Sequence, residues 1–341
     1  MDTTAVRAAL LDWYDRCARD LAWRVGPVER AAGVRPDPYR VWLSEVMLQQ
    51  TTTGHATRYF LDFTQRWPTV QALAAAEDAE VMGAWAGLGY YARARNLLAC
   101  ARAVAGERGG VFPDGEAGLR ALPGLGAYTA AAVAAIAFDR AANVVDGNVE
   151  RVMARLFAVE TPLPAARREL AGLAARFVTD ERPGDWAQAL MDHGATVCRP
   201  KSPLCDRCPV AFACAALATG APETYPRKTA KVERPRRHGV AYVAGGERVA
   251  VVLRPPKGLL GGMNGLPTSE WRAEPWSDAE ALAAAPHSAE WRDAGAVEHA
   301  FTHFALTLRV FASDQAPAGA ALSDGSGLPT VFRKALERAR G

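Results

Sequence analysis

Long apolar stretches are missing from this 341-residue chain. The longest, AYTAAAVAAIAF at 127–138, is too short to cross a bilayer, so no membrane span is expected. The opening MDTTAVRAALLDWYDR has the texture of a charged amphipathic helix and lacks the apolar run of a secretory leader. A strong charge of either sign is also missing, since 40 Lys and Arg against 37 Asp and Glu leave only +3. Bulk charge therefore does not announce a nucleic-acid binder, and any basic patch has to be local. Cysteine is scarce, six in all, and unevenly placed. Cys17 and Cys100 stand alone in helical, Ala-rich surroundings and read as packing residues. Cys198, Cys205, Cys208 and Cys214 fall together within seventeen residues. In a soluble cytoplasmic chain, the expectation here, such a cluster reads as a metal site before it reads as disulfides.

What is present is ordinary for a globular enzyme: half the residues are hydrophobic, 23% are charged, and the length allows two domains. Residues 1–218 repeat Ala, Leu and Arg at three- and four-residue spacing, a helical pattern punctuated by turns such as WPT, FPDGE and ERPGD. Residues 219–236, TGAPETYPRKTAKVERPR, carry no apolar periodicity and read as a linker. From 237 to 341 the texture changes. Two Val-rich runs flank GGE like a hairpin, HFALTLRVFAS alternates like a strand, and LPTVFRKALERARG reads as a basic helix. A helical region followed by a smaller α+β domain is predicted.

Three motifs carry chemistry. The cysteine spacing, C-x6-C-x2-C-x5-C, can supply four thiolates to a tetrahedral zinc or to a four-iron cluster. Zinc sites more often show two C-x2-C pairs and only one is present, which puts the [4Fe–4S] cluster ahead. LPGLGAYTA places Gly124 and Gly126 before a helix and after a helical EAGLRALPG. Alone, G-x-G is just a turn. Within helix–hairpin–helix it presents backbone N–H groups to a phosphate oxygen, a sequence-independent grip on DNA. In NVVDGNVER, Asp146 is at once a good N-cap for the following helix and about one helix beyond the hairpin, within reach of the same site. A fourth feature is a question rather than a motif. VWLSEVMLQQTT sets six apolar residues that could pack a core around Glu45, which is there either because it lies on a wet face or because a pocket needs an acid.

Together the cysteine spacing, LPGLGAYTA, VVDGNVER and WLSEVMLQQT resemble the helix–hairpin–helix DNA glycosylases, and among them the MutY-type adenine DNA glycosylases. GLGYYARARNL and ALMDHGATVC extend the likeness over most of residues 20–218. The resemblance implies an all-α, two-lobed catalytic region with a [4Fe–4S] loop at 198–214. It further implies a monofunctional hydrolase of base excision repair that removes adenine mispaired with 8-oxoguanine, and with guanine as well. Duplex DNA holding that mispair is the implied partner of a monomeric, cytoplasmic, nucleoid-associated protein. Glu45, kept protonated by its apolar ring, would act as general acid toward adenine N7. Asp146 would stabilise the cationic sugar, with Tyr128 and Asn148 orienting the two carboxyls. Arg24 and Gln188 would contact the extruded adenine. Gln50, Thr51, Leu88, Tyr90, Gly124 and Gly126 would hold the DNA; for Gln50 and Tyr90 a helix-end polar group and a core aromatic are the plainer readings. Arg24 is followed by VGPVERAAGVRPD, a connection longer than the family's.

LLGGMNGLPTSEW resembles the Nudix-like C-terminal domain of the same family, but the Glu-rich magnesium helix of a working Nudix hydrolase is missing after Glu270. EHAFTHFAL resembles the loop that reads 8-oxoguanine, here Phe301, Thr302 and His303. The rival on the same scaffold is a pyrimidine-lesion glycosylase and lyase of the endonuclease III type. That activity places a Schiff-base lysine where this chain has Tyr128.

Overall fold

The computed structural model describes residues 1–229, 234–255, 258–301 and 303–341. The chain divides into two compact units, Met1–Thr229 and Ala230–Gly341.

In the first unit the helices run α1 (Thr3–Cys17), α2 (Pro27–Ala31), α3 (Pro38–Leu48), α4 (Thr53–Arg66), α5 (Val70–Ala74), α6 (Asp78–Ala84), α7 (Ala92–Arg108) and α8 (Glu116–Arg120). They continue with α9 (Ala127–Phe138), α10 (Gly147–Leu156), α11 (Arg167–Ala175), α12 (Pro183–Thr196) and α13 (Ala215–Ala218). Their starts are set locally. Asp2, Asp37, Thr52 and Asp146 each accept backbone N–H bonds from the first turn of the helix that follows. Pro38 and Pro183 occupy first helical positions, where no N–H is needed.

Two cores form inside this unit. One gathers α3, α4, α7 and α9 around Trp42, Phe60, Phe63 and Trp85. The other gathers α1, α10, α11 and α12 around Tyr14, Met153, Leu170 and Phe177, and takes in Cys198. The chain thus begins in one lobe, builds the other, and returns. Helix α9 is buried on every side from Thr129 to Ala137, which explains its uniformly small, apolar composition. Helix α12 touches both cores, with Ala187 in the first and Leu190 in the second.

The stretch read as a linker from 219 belongs to this unit as far as Thr229. Tyr225 is buried, the buried Arg155 guanidinium donates to Pro222 O and Tyr225 O, and Leu163 N donates to Arg227 O. Long-range backbone partners hold a segment that carries no periodicity of its own.

The second unit holds β1 (Arg236–Ala244), β2 (Val249–Leu253), β3 (Asn264–Gly265), α14 (Asp278–Ala283), β4 (Arg292–Ala300), β5 (Ala305–Ser313), β6 (Ala321–Ser323) and α15 (Thr330–Arg340). One sheet has the order β1-β5-β4, with β1 parallel and β4 antiparallel to β5; the other has the order β3-β2-β6. The hairpin predicted around GGE is therefore corrected: β1 and β2 form as strands but pair in different sheets. Gly245, at φ 119°, donates its N–H to Ser313 O, extending the β1–β5 contact before the chain leaves for β2. Helix α15 buries Val331, Phe332, Ala335, Leu336 and Ala339, a stripe at helical spacing, in the core that the strands share.

Candidate active site

A cleft of about 1100 Å3 opens in the first unit. Its wall takes Glu45 from α3, Tyr128 from the start of α9, Asp146 and Asn148 from the start of α10, and Gln188 from α12. Arg24, Gln50, Thr51, Gly124 and Gly126 line it too. Residues 164 positions apart in sequence thus share one cavity.

Glu45 is 6% exposed, so the wet-face explanation does not hold. Tyr128 Oη donates to Glu45 Oε2 at 2.9 Å and lies 3.6 Å from Met191 Sδ on α12. Burial pushes the Glu45 carboxyl up to about 7; Asp146 adds to the rise, while the Tyr128 hydrogen bond and Arg24 oppose it. The Tyr128 phenol is itself driven well above its ordinary value by burial and by the two nearby carboxyls, so it stays a donor.

Asp146 sits in a different setting. Its Oδ1 accepts from Asn148 N at 2.9 Å and Val149 N at 2.8 Å, and its Oδ2 accepts from Asn148 Nδ2 at 2.7 Å. Three N–H donors at a helix N-terminus thus converge on this one carboxyl. The cap reading and the site reading are both true of this residue. Asn148 Oδ1 in turn accepts from Arg151, whose guanidinium also donates to Gly194 O and Cys198 O. Gly194 is required here: a Cβ would lie 2.6 Å from Asn148 Cβ.

Arg24 is fixed from behind. Its two terminal nitrogens reach the fully buried Asp192 at 2.5 and 3.0 Å, and Arg19 Nε joins the same carboxylate at 2.6 Å. Arg24 Nε and Gln188 Nε2 are buried donors with no partner among the described residues. Two unsatisfied donors beside a protonatable carboxyl suit a ligand with ring-nitrogen acceptors.

Gln50 (φ 56°), on the cleft wall, and Tyr90 (φ 50°), which with Leu88 lies outside the cleft lining, are exposed and left-handed, a conformation that non-glycine residues adopt at a cost. One guanidinium holds both. Arg93 donates to Val46 O and Met47 O at the end of α3 and to Leu88 O and Gly89 O, and it stacks over the Tyr90 ring. Tyr90, 56% exposed, is no core aromatic, whereas the Leu88 side chain is buried and packs the first core. Gly124, at φ 76°, lies where a Cβ would meet Asn96 Cβ at 2.6 Å, so the hairpin admits only glycine there.

The four clustered cysteines are free thiols lining one small pocket. Arg155 Nη1 approaches Cys198 Sγ at 3.2 Å and His193 Nε2 lies 3.3 Å from Cys208 Sγ. Among the described residues no three His, Cys, Asp or Glu side chains are grouped as a single ion would need. The donor set, four sulfurs on one loop with cationic and N–H partners behind them, fits a thiolate-bound centre.

In the second unit Phe301 stacks on Trp271 at 5.5 Å and contacts His299 and Phe304, while His303 is exposed. Thr302 lies outside the described residues.

Arg93, Arg151, Arg155 and Asp192 were not singled out from the sequence. Each sits on a helix among other charges, and only the partners across the fold distinguish it.

Comparison with known proteins agrees with this geometry. Residues 43–175 match the HhH-GPD superfamily of base excision DNA repair proteins, and residues 239–338 match the NUDIX domain. The chain is 38% identical to an adenine DNA glycosylase of Homo sapiens over 369 aligned residues, covering 91% of this chain and 67% of that protein. It is 37% identical to the adenine DNA glycosylase of Mus musculus, covering 94% and 73%. Among solved structures, a thermostable thymine-DNA glycosylase superposes with a TM-score of 0.56 at 28% identity, covering 64% of this chain and 97% of that one. With a helical glycosylase fold, a Nudix-type second unit and this extent of likeness, the chain is a DNA glycosylase of base excision repair and belongs to the adenine DNA glycosylase family.

Proposed function

We propose that the chain removes adenine paired with 8-oxoguanine, and with guanine, from duplex DNA by hydrolysis alone, without cutting the strand. The observation that carries this reading is one cleft holding two carboxyls in different settings: Glu45 buried and poised near 7, Asp146 wrapped in N–H donors.

The extruded adenine enters the cleft, where the free donors of Arg24 and Gln188 meet its ring nitrogens. Tyr128 occupies Glu45 Oε2, which leaves Oε1 to carry the proton to N7. With a value near 7, roughly half of Glu45 is protonated at neutral pH. As the glycosidic bond breaks, the sugar gains positive charge and the Asp146 carboxylate stabilises it. Water attack on the sugar completes release, with Glu45, now ionised, accepting the water's proton. Asn148 keeps Asp146 in place. Tyr128 provides no amine, so no Schiff base forms and the abasic strand stays intact.

Gly124 and Gly126 present the hairpin amides to a phosphate, and Gln50, Thr51, Leu88 and Tyr90 form the segments facing the displaced stack. Phe301, Thr302 and His303 read the 8-oxoguanine. Cys198, Cys205, Cys208 and Cys214 would hold a [4Fe–4S] cluster, which when bound staples the loop and supplies thiolate–iron bonds rather than any atom of the hydrolysis. The protein would act as a monomer in the cytoplasm, on nucleoid DNA.

The test is single-turnover incubation with duplexes holding adenine opposite 8-oxoguanine, guanine or thymine. Adenine release from the first two, with strand breakage appearing only after alkali, is expected. Thymine-glycol excision with strand scission and no adenine release would overturn the reading.

A further inference from the structure

The long connection after Arg24 places one side chain where two helices of the cleft meet. Arg30, on α2, is 7% exposed in its side chain. Its Nη1 donates to Ile136 O at 3.0 Å, its Nη2 donates to Asp139, and its Nε pairs with Asp185 Oδ1 at 3.0 Å. Ile136 O and Asp139 lie at the carboxyl end of α9; Asp185 lies in the first turn of α12. The cation thus satisfies a helix-end carbonyl and bridges the ends of two helices.

Those helices run side by side in opposite directions. Near one end Tyr128 Oη of α9 approaches Met191 Sδ of α12. Near the other, Gly184 of α12 lies so close to α9 that a Cβ would sit 2.6 Å from Ala135 O and 3.1 Å from Ile136 Cα. Backbone meets backbone there, and the Arg30 guanidinium, 3.1 Å from the same Cβ position, closes over the crossing. Arg30 bridges the two ends directly, while Asp185 also pairs with Arg182 and Asp139 with Arg35. From Ile136 to Tyr128 is eight residues, about 12 Å of rigid helix, so a slip at the clamp appears undiminished at the phenol.

We propose that Arg30 is a positioning residue: by locking α9 against α12 it sets Tyr128 against Glu45 and aligns that pair with Gln188 and the Asp192–Arg24 pair. This rests on the cleft being the site of adenine release.

The experiment compares wild type, Arg30→Met, Asp139→Asn, Tyr128→Phe and the double variant Arg30→Met/Tyr128→Phe. Single-turnover adenine release is measured at saturating protein, and affinity is measured for a duplex carrying a non-cleavable 2′-fluoroadenosine opposite 8-oxoguanine. Arg30→Met should release adenine about tenfold more slowly, as sub-ångström misplacement of catalytic groups does, with affinity unchanged within about twofold. Its loss should shrink when Tyr128 is already Phe, because both changes act on the same contact. A purely structural role would lower the melting temperature and leave the rate of folded protein unaltered. Full rate in Arg30→Met, or losses that multiply in the double variant, would overturn the proposal. If Arg30→Met does not fold, Asp139→Asn decides: asparagine tolerates the left-handed backbone there, and a full rate rejects the clamp. A wild-type protein that released no adenine would overturn the reading of the cleft, and the clamp's catalytic role with it.

Discussion

Replacing Glu45 by glutamine should make the protein more stable and nearly inactive, and the stability gain should depend on pH in a defined way. The carboxyl is held near 7 in the fold, by burial above all, against an ordinary value of 4.5. In the unfolded chain it releases its proton around 4.5; in the folded chain it keeps the proton until about 7. Between those values the folded state binds more protons, so folding weakens as pH rises through the window and levels off above 7. At roughly 1.4 kcal/mol per tenfold change in proton affinity, the full effect is about 3 kcal/mol. Glutamine has nearly the same shape, still accepts from Tyr128, and never ionises. Urea unfolding followed by far-ultraviolet circular dichroism at pH 4.5, 6 and 8 should show Glu45→Gln gaining nothing from this source at the lowest pH and up to about 3 kcal/mol at the highest. Adenine release should fall at least about a hundredfold. No gain at pH 8 would mean that the fold does not hold this carboxyl uncharged. A gain of equal size at pH 4.5 would mean that it arises from packing and not from the proton.

The other carboxyl predicts the same loss of activity without the gain in stability. Asp146→Asn keeps a good N-cap, so melting should be nearly unchanged while single-turnover release falls about a hundredfold; Asp146→Ala should lose about 1 kcal/mol as well. Tyr128→Phe removes a hydrogen bond that holds the Glu45 carboxyl down, so the alkaline fall of the pH–rate profile should move to higher pH; a move to lower pH would contradict the geometry. Asp192→Asn strips the counter-charge from two arginines around a fully buried carboxylate, and a loss of about 3–5 kcal/mol in urea unfolding is expected, with release impaired through Arg24. Cys208→Ala should abolish visible iron–sulfur absorption in the purified protein; an unchanged spectrum would remove Cys208 from the ligand set.

Much of the first unit was legible because its determinants are local. Asp146 caps the helix that its position suggests, as Asp2, Asp37 and Thr52 cap theirs in the fold, and Gly124 and Gly126 mark the hairpin. The second unit was legible as strands and helices but not as a topology. Alternating valines show that β1 and β2 are strands, yet they carry no information on the partner, and β1 pairs with a strand some seventy residues later. The polar scaffolding was the least legible. An arginine on a helix is usually solvated, and nothing local separates Arg95, which is exposed, from Arg93, which gathers four carbonyls. Asp192 is hidden in the same way, since its partners Arg19 and Arg24 lie some 170 positions earlier.

The two carboxyls show why a motif alone stops short of chemistry. Glu and Asp differ little in water, and the sequence assigns their roles only through resemblance. The fold separates them by what it aims at each. Burial lifts the Glu45 carboxyl toward its neutral form against the one phenolic O–H it accepts, whereas Asp146 accepts two backbone N–H groups and an amide at a helix start. Those settings belong to positions 45 and 146 and not to the residue types, so exchanging the two side chains would still leave a buried carboxyl at 45 and an N–H-bound one at 146, altered only in reach by one methylene.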